Sequence, residues 1–277
     1  MSTKTSLDTI WHVPDDLWSL IAPVFGPEKP SGSPGRPHTP YRLAFDAIVY
    51  VLRTGCQWQA LPRQEYAPAS TIHGIYRKWV KAGVFAEAWK LLLEYYDRQL
   101  GIKWKWQALD GAITKAPLGG EATGKSPVDR AKSGTKRSVL TDQRGAPLAI
   151  VVTSANTHDK SVALETLDSI IVKRPEKMIY RLHHLCLDKG YDYADVIAGV
   201  MARDYILHLK KRGEADKPID GAKKHPARRW VVERTHSWMN RYRRILIRWE
   251  KKVEHYEAML HLASVMILYR LVATAQI

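Results

Sequence analysis

The chain is poor in cysteine and in acidic residues and has no long uninterrupted apolar run; each shortage removes a class of explanation. Only Cys56 and Cys186 are present, neither in a C-x-x-C pair, so no zinc ribbon, zinc finger or disulfide framework can be assembled from them. A reducing cytoplasm suits such a chain. Against 28 Asp and Glu stand 43 Lys and Arg, a net charge of +15 and a pI near 9.7, which favours a polyanionic partner. The N-terminus, MSTKTSLDTIWHVPDD, lacks the apolar core of a secretory signal and the arginine-rich, acid-free pattern of a transit peptide, so the chain is expected to stay inside the cell. The most apolar stretch, AMLHLASVMILYRLVA, is interrupted by His261 and Arg270 and reads as a packed core helix, with no membrane partner expected.

The first third is patterned for helices. DDLWSLIAPVF, YRLAFDAIVYVLRTG, ASTIHGIYRKWVKAG and VFAEAWKLLLEYYDRQL each repeat apolar residues near helical spacing. Thr39 and Pro40 read as an N-cap and first-turn pair, and Gly55 and Gly83 as helix-ending glycines. GPEKPSGSPGRPHTP is a connector. From Trp104 onward WQALDGAI, RSVLTD, PLAIVVTSA, HHLCLDKG and YILHLK are strand candidates, with a hairpin around Asp142 to Gly145. Helices near 158–171, 191–203, 226–248 and 252–273 alternate with or follow them, which implies an α/β domain with a mixed sheet. The expected division is a helical domain over 1–100 and an α/β domain over 101–277.

Two acids follow apolar runs, Asp110 after WQAL and Asp188 after HHLCL, where sheet proteins gather functional groups. A third, Glu233, lies on a C-terminal helix. Hard oxygen donors of this kind suit Mg²⁺ or Mn²⁺. Spacing alone does not select these three, because Asp142, Asp159 and Asp192 occupy similar turn-like settings, and Glu233 also has Arg229 one turn away as an ordinary ion-pair partner. The segment ARRWVVERTHSWMNRYRRILIRWEKK holds nine basic residues and two acidic ones, a composition suited to anions. On a continuous helix Arg229, Glu233, Asn240 and Arg244 fall near one face, and Lys251 and Lys252 add attraction to a phosphate backbone.

Taken in order, GRPHTPYRLAFDAIVYVLRTGCQWQALP, ALDGAITKAP, GKSPVDRAKSGTKRSVLTDQRGAPLAIVVTSANTHD, LCLDKGYD and RRWVVERTHSWMNRYRRILIRWE resemble the insertion-sequence transposases of the IS5 family, within the wider IS4-like group of DDE enzymes. The resemblance spans most of residues 35–250. It implies an RNase H-like core in which Asp110, Asp188 and Glu233 are the first, second and third catalytic acids and hold divalent metal, Mg²⁺ or Mn²⁺, as two ions. It departs from the wider group's signature around the third acid: Arg229 and Glu233 match, but Pro226 stands where a tyrosine is expected and Asn240 where a lysine is.

The expected partner is double-stranded DNA, both transposon terminal repeats and target, with a homodimer or larger assembly pairing two ends. Arg229, Arg241 and Arg244 are candidates to steady the scissile strand. The helices at 40–54 and 70–82 are read as a helix-turn-helix presenting Thr71, His73, Arg77, Lys78 and Lys81 to DNA. In GKSPVDRAKSGTKRS, Lys136 and Arg137 are candidate grips on the phosphate backbone. Two rival readings remain: a stand-alone nuclease on the same core, and a silent, transposase-derived DNA-binding protein.

Overall fold

The computed structural model describes residues 12–30, 34–35, 38–176, 182–209 and 229–275. Pro226 and residues 31–33 and 36–37 of the Pro/Gly/Ser connector fall outside them. Helix α1 (Asp15–Ile21) runs into a 3-10 turn at Ala22–Phe25, followed by α2 (Tyr41–Thr54), α3 (Ala69–Lys81) and α4 (Val84–Leu100). Their apolar spacing becomes burial: Phe45, Ile48 and Leu52 of α2 and Leu92, Leu93 and Tyr96 of α4 are fully covered. Gly55 ends α2 in the left-handed region at φ 68°, donating its N–H to Val51. A side chain there would press on Arg243, since an added Cβ would lie 2.9 Å from the Arg243 Cβ. Pro40 sits at the cap itself, one position earlier than its expected place in the first turn.

Among the described residues the sheet has six strands: β1 (Trp106–Lys115), β2 (Gly124–Lys125), β3 (Ser133–Thr141), β4 (Pro147–Ser154), β5 (His183–Leu187) and β6 (Tyr205–Leu209). The β1–β3 and β3–β4 pairs are antiparallel, while β1–β5 and β5–β6 are parallel. The order β4-β3-β1-β5-β6 with that change of direction beside the central β1 is RNase H-like. The short β2, which the sequence reading leaves in a loop, pairs with the start of β3.

The β3–β4 hairpin turns on Asp142, which is fully buried and accepts from Arg144 N, Ala146 N, Lys103 N and the Tyr96 hydroxyl at 2.8–3.1 Å. Hydrogen bonds to a charged acceptor contribute roughly 1.5–3 kcal/mol each, so this carboxylate is accounted for by the turn and by its link to α4.

Helices α5 (Asp159–Asp168), α6 (Ala194–Ala202), α7 (Trp230–Asn240) and the single turn α8 (Arg243–Leu246) flank the sheet. The last helix, α9 (Val253–Ala275), is long and apolar enough to cross a membrane by length and composition. It packs against α4 and β4, with Leu260, Leu262, Val265 and Leu268 fully buried. One cluster of buried apolar side chains runs from Leu17 through the sheet to Val272.

Candidate active site

The β1–β5 register pairs Ala108 with Cys186. Asp110 and Asp188 each stand two residues further on, where the two parallel strands part, so the pairing itself delivers two carboxylates side by side. Asp188 begins a 3-10 turn at Lys189–Tyr191 and accepts from the Lys189 N–H, which fixes its side chain. Asp110 Oδ1 accepts from Gly111 N at 2.9 Å. Glu233 comes from the first turn of α7, which crosses over β1.

Arg229 joins the set. Its Nη1 lies 2.9 Å from Asp188 Oδ2, and its Nη2 lies 2.8 Å from Glu233 Oε1. Burial pushes the Asp110 carboxyl up to about 6; the Gly111 N–H and Arg229 oppose this, and the charges of Asp188 and Glu233 add to it. Three carboxylates therefore share one electrostatic field. Among the described residues no three acidic, histidine or cysteine side chains stand in a ready metal-holding geometry, and the Arg229 guanidinium lies where a cation balances two of the acids. The donor set fits a hard divalent ion in type and charge, provided that Arg229 yields its oxygens.

His236 and Tyr191 escaped the sequence reading, as did the pairing of Asp159 with Lys136. His236, three residues after Glu233, places Nε2 3.3 Å from the Asp110 carbonyl oxygen, while its Nδ1 accepts from Arg137 Nε at 3.4 Å. A guanidinium only donates, so the ring carries its proton on Nε2. Burial and Arg137 push its pKa down to about 3, which keeps the ring neutral. The spacing from Glu233 was the available signal. Asp159 and Lys136 form an ion pair at 2.8 Å beside Gly111, where an added Cβ would lie 2.7 Å from Asp159 Oδ1. Tyr191 is buried near Asp159, Asp110 and Asp188.

The structure redistributes the basic candidates. Arg137 is 1% exposed and donates to Asn240 Oδ1 at 2.6 Å, so it braces α7 against β3 in place of gripping DNA. Lys136 is likewise buried, bonded to Asp159 and to the Thr157 carbonyl oxygen at 2.5 Å. The helix expected over 226–248 breaks at Arg241 and Tyr242, after which Ile247 bridges to Lys115 of the sheet. Arg244 is thereby taken off the Glu233 face and buried against Glu250 at 2.6 Å. Arg241, Lys251 and Lys252 are exposed. In α3, Arg77, Lys78 and Lys81 are exposed and Thr71 and His73 half-buried, with His73 beside Trp58. Residues 55–68, including a 3-10 turn at Trp58–Ala60, join α2 to α3, a longer joint than the three or four residues of a helix-turn-helix.

An RNase H-like sheet with acids placed where its central parallel strands diverge defines a class of nucleic-acid-processing proteins. Residues 107–268 match the family model described as "Transposase DDE domain", and residues 13–89 match "Putative transposase of IS4/5 family (DUF4096)". The chain belongs to the DDE-domain transposase family: it is a DNA transposase, an enzyme of the polynucleotidyl transferase and nuclease kind.

Among curated proteins it is 34% identical over 147 residues, 52% of this chain and 67% of the other, to "Putative transposase for insertion sequence element IS402" of Burkholderia cepacia. It is 32% identical over 118 residues, 42% of this chain and 80% of the other, to "Insertion element IS402 uncharacterized 16.2 kDa protein" of the same organism. A solved piggyBac transposase synaptic complex with hairpin DNA aligns over 97% of this chain and 75% of its own at 8% identity and a TM-score of 0.43, a likeness that adds nothing to the strand order.

Proposed function

We propose that Asp110, Asp188 and Glu233 are the catalytic acids and that they hold Mg²⁺ or Mn²⁺, as two ions, for hydrolysis of a phosphodiester at a transposon end and transfer of the freed 3′ hydroxyl to target DNA. The observation that carries this reading is the shared field of the three carboxylates, with a single guanidinium balancing two of them. Bound divalent ions would lower the pKa of the attacking water and stabilise the leaving oxygen.

The chain's own residues do the positioning. The β1–β5 register sets the spacing of Asp110 and Asp188. The Arg137–His236–Asp110 chain of contacts holds α7, and with it Glu233, over β1. Arg229, once free of the acids, is placed to receive a phosphate of the scissile strand with a forked pair of donors. Arg241, Lys251 and Lys252 add exposed charge for the backbone. We assign residues 1–100 to binding double-stranded terminal repeats, with Thr71, His73, Arg77 and Lys78 of α3 facing them, and residues 101–277 to catalysis. Two ends are paired by a homodimer or larger assembly.

The test is Mg²⁺-dependent cleavage and joining on DNA carrying the flanking terminal repeats, with wild type and Asp110→Ala compared. Joined products that vanish in the variant support the reading. Cleavage without joining favours a stand-alone nuclease, and tight binding with neither favours a silent DNA-binding protein.

A further inference from the structure

A cavity of about 660 Å³ opens between α2, the C-terminal end of α7 and α9, and none of the three acids lines it. Arg53, Arg241 and Arg270 reach it from these three elements, and Trp238, Tyr242 and Tyr269 give it an aromatic wall. Among the described residues none of the three guanidiniums is paired with a carboxylate. The acids in the neighbourhood are engaged elsewhere: Asp46 accepts from Val13 N and pairs with His12 and Arg42, and Asp16 accepts from the Tyr269 hydroxyl at 2.7 Å.

Three guanidiniums line one cavity to which no carboxylate contributes a lining residue, so the cavity is positively charged and suited to an anion. All three line the same cavity as the half-buried Tyr242, and against the upward push of burial the charge of each lowers the pKa of its phenol. Burial alone pushes Arg53 downward. The cavity is also far larger than one phosphate needs and falls within the usual range for a small organic ligand, about 300–1,000 Å³. Its aromatic side chains, Trp238, Tyr242 and Tyr269, supply apolar wall of the kind on which a base packs.

We propose that this cavity is a nucleotide site, in which the three arginines take a phosphate through charge-assisted, forked hydrogen bonds and the aromatic wall takes the base. The nucleotide is either free or one unit of a DNA strand. The site does not depend on the acids being catalytic.

The test titrates the full chain by calorimetry with 2′-deoxyadenosine 5′-monophosphate, deoxyadenosine, inorganic phosphate and a 5′-phosphorylated single-stranded oligonucleotide. The monophosphate should bind more tightly than either of its halves. In Arg53→Gln/Arg270→Gln it should bind at least about tenfold more weakly, a change of about 1.4 kcal/mol. Arg270→Gln alone, an exposed change that leaves the fold untouched, should give a smaller loss in the same direction. Asp110→Ala should bind the monophosphate like wild type, so that this site and the catalytic reading fail separately. An oligonucleotide that outbinds the monophosphate and loses that excess in Arg53→Gln/Arg270→Gln identifies a strand as the source, and an excess unaffected by the two substitutions identifies the free nucleotide. Unchanged affinity in both arginine variants, or inorganic phosphate binding as tightly as the monophosphate, overturns the proposal.

Discussion

Arg229 reaches Asp188 across the gap between the end of β5 and the start of α7, with Nη1 2.9 Å from Oδ2. The same guanidinium holds Glu233 at 2.8 Å. In the proposed role of these acids a divalent ion would need the same oxygens, so arginine and ion would compete. Both pairs are substantially solvent-exposed, and such pairs contribute roughly 0.2–1 kcal/mol each. Arg229→Gln is therefore expected to bind Mn²⁺ about threefold to tenfold more tightly than wild type when no DNA is present. Calorimetry on the DNA-free protein measures this. Equal or weaker binding would show that the pairing is no obstacle to the ion.

Arg137 separates a structural arginine from a DNA-binding one. It is buried between β3 and α7, and Arg137→Ala leaves Asn240 and His236 without their donor. The expected cost is about 2–4 kcal/mol of folding stability, read from urea unfolding. Arg77→Ala/Lys78→Ala, at exposed positions of α3, should leave that stability unchanged and reduce the salt dependence of DNA binding by a slope of about 2. If Arg137→Ala folds like wild type yet weakens DNA binding, Arg137 grips the backbone after all.

The contrast marks where the sequence is legible. Helices and strands are readable from their two periodicities, and HHLCLD places Asp188 at the end of β5, because a strand's end is a local matter; WQALD misplaces Asp110, which lies in the middle of β1 because the strand runs on through its antiparallel pairing with β3 to Lys115. What residues 229–250 do is not local. Six arginines in one stretch look alike on paper, but the break at Arg241 and Tyr242, where the chain turns to bridge Lys115, sends Arg244 and Arg248 inward and leaves Arg241 outside. The same limit hides the Lys136–Asp159 pair, whose members are brought together only when α5 packs on β3.

His261 of α9 gives a pH signature independent of the site. Its ring stacks on Trp89 with centroids 5.1 Å apart, and burial pushes its pKa down to about 4. In the unfolded chain the value is about 6.5. The folded state therefore refuses a proton that the unfolded state accepts, so this contribution is complete above about pH 6.5 and is lost as pH falls toward 4. Because the ring is only partly covered, the expected loss between pH 7.5 and 5 is about 1–2 kcal/mol, or several degrees in Tm. His261→Phe should flatten that part of the profile in thermal melts; an unchanged profile assigns the acid sensitivity elsewhere.

Gly145 connects the hairpin to the helix that carries Glu233. It sits at φ +88°, and an added Cβ would lie 2.8 Å from Thr235 Oγ1 and 3.1 Å from a ring carbon of Trp238. The Thr235 hydroxyl donates to the Gly145 carbonyl oxygen at 2.8 Å, and Arg234 donates to that of Arg144 at 2.7 Å. Gly145→Ala thus carries two costs, the left-handed backbone at roughly 1 kcal/mol and displacement of α7 at roughly 1–3 kcal/mol. Gly83→Ala carries only the first, because Gly83 has φ +72° and nothing within 4 Å of the added carbon. The expected outcome is a clearly larger loss of stability at 145, accompanied by loss of cleavage as Glu233 shifts from Asp110 and Asp188, with cleavage retained at 83. Equal losses at the two positions would mean that the turn does not hold α7 in place, and that the helix is fixed by the Arg137–Asn240 contact and its packing on α9.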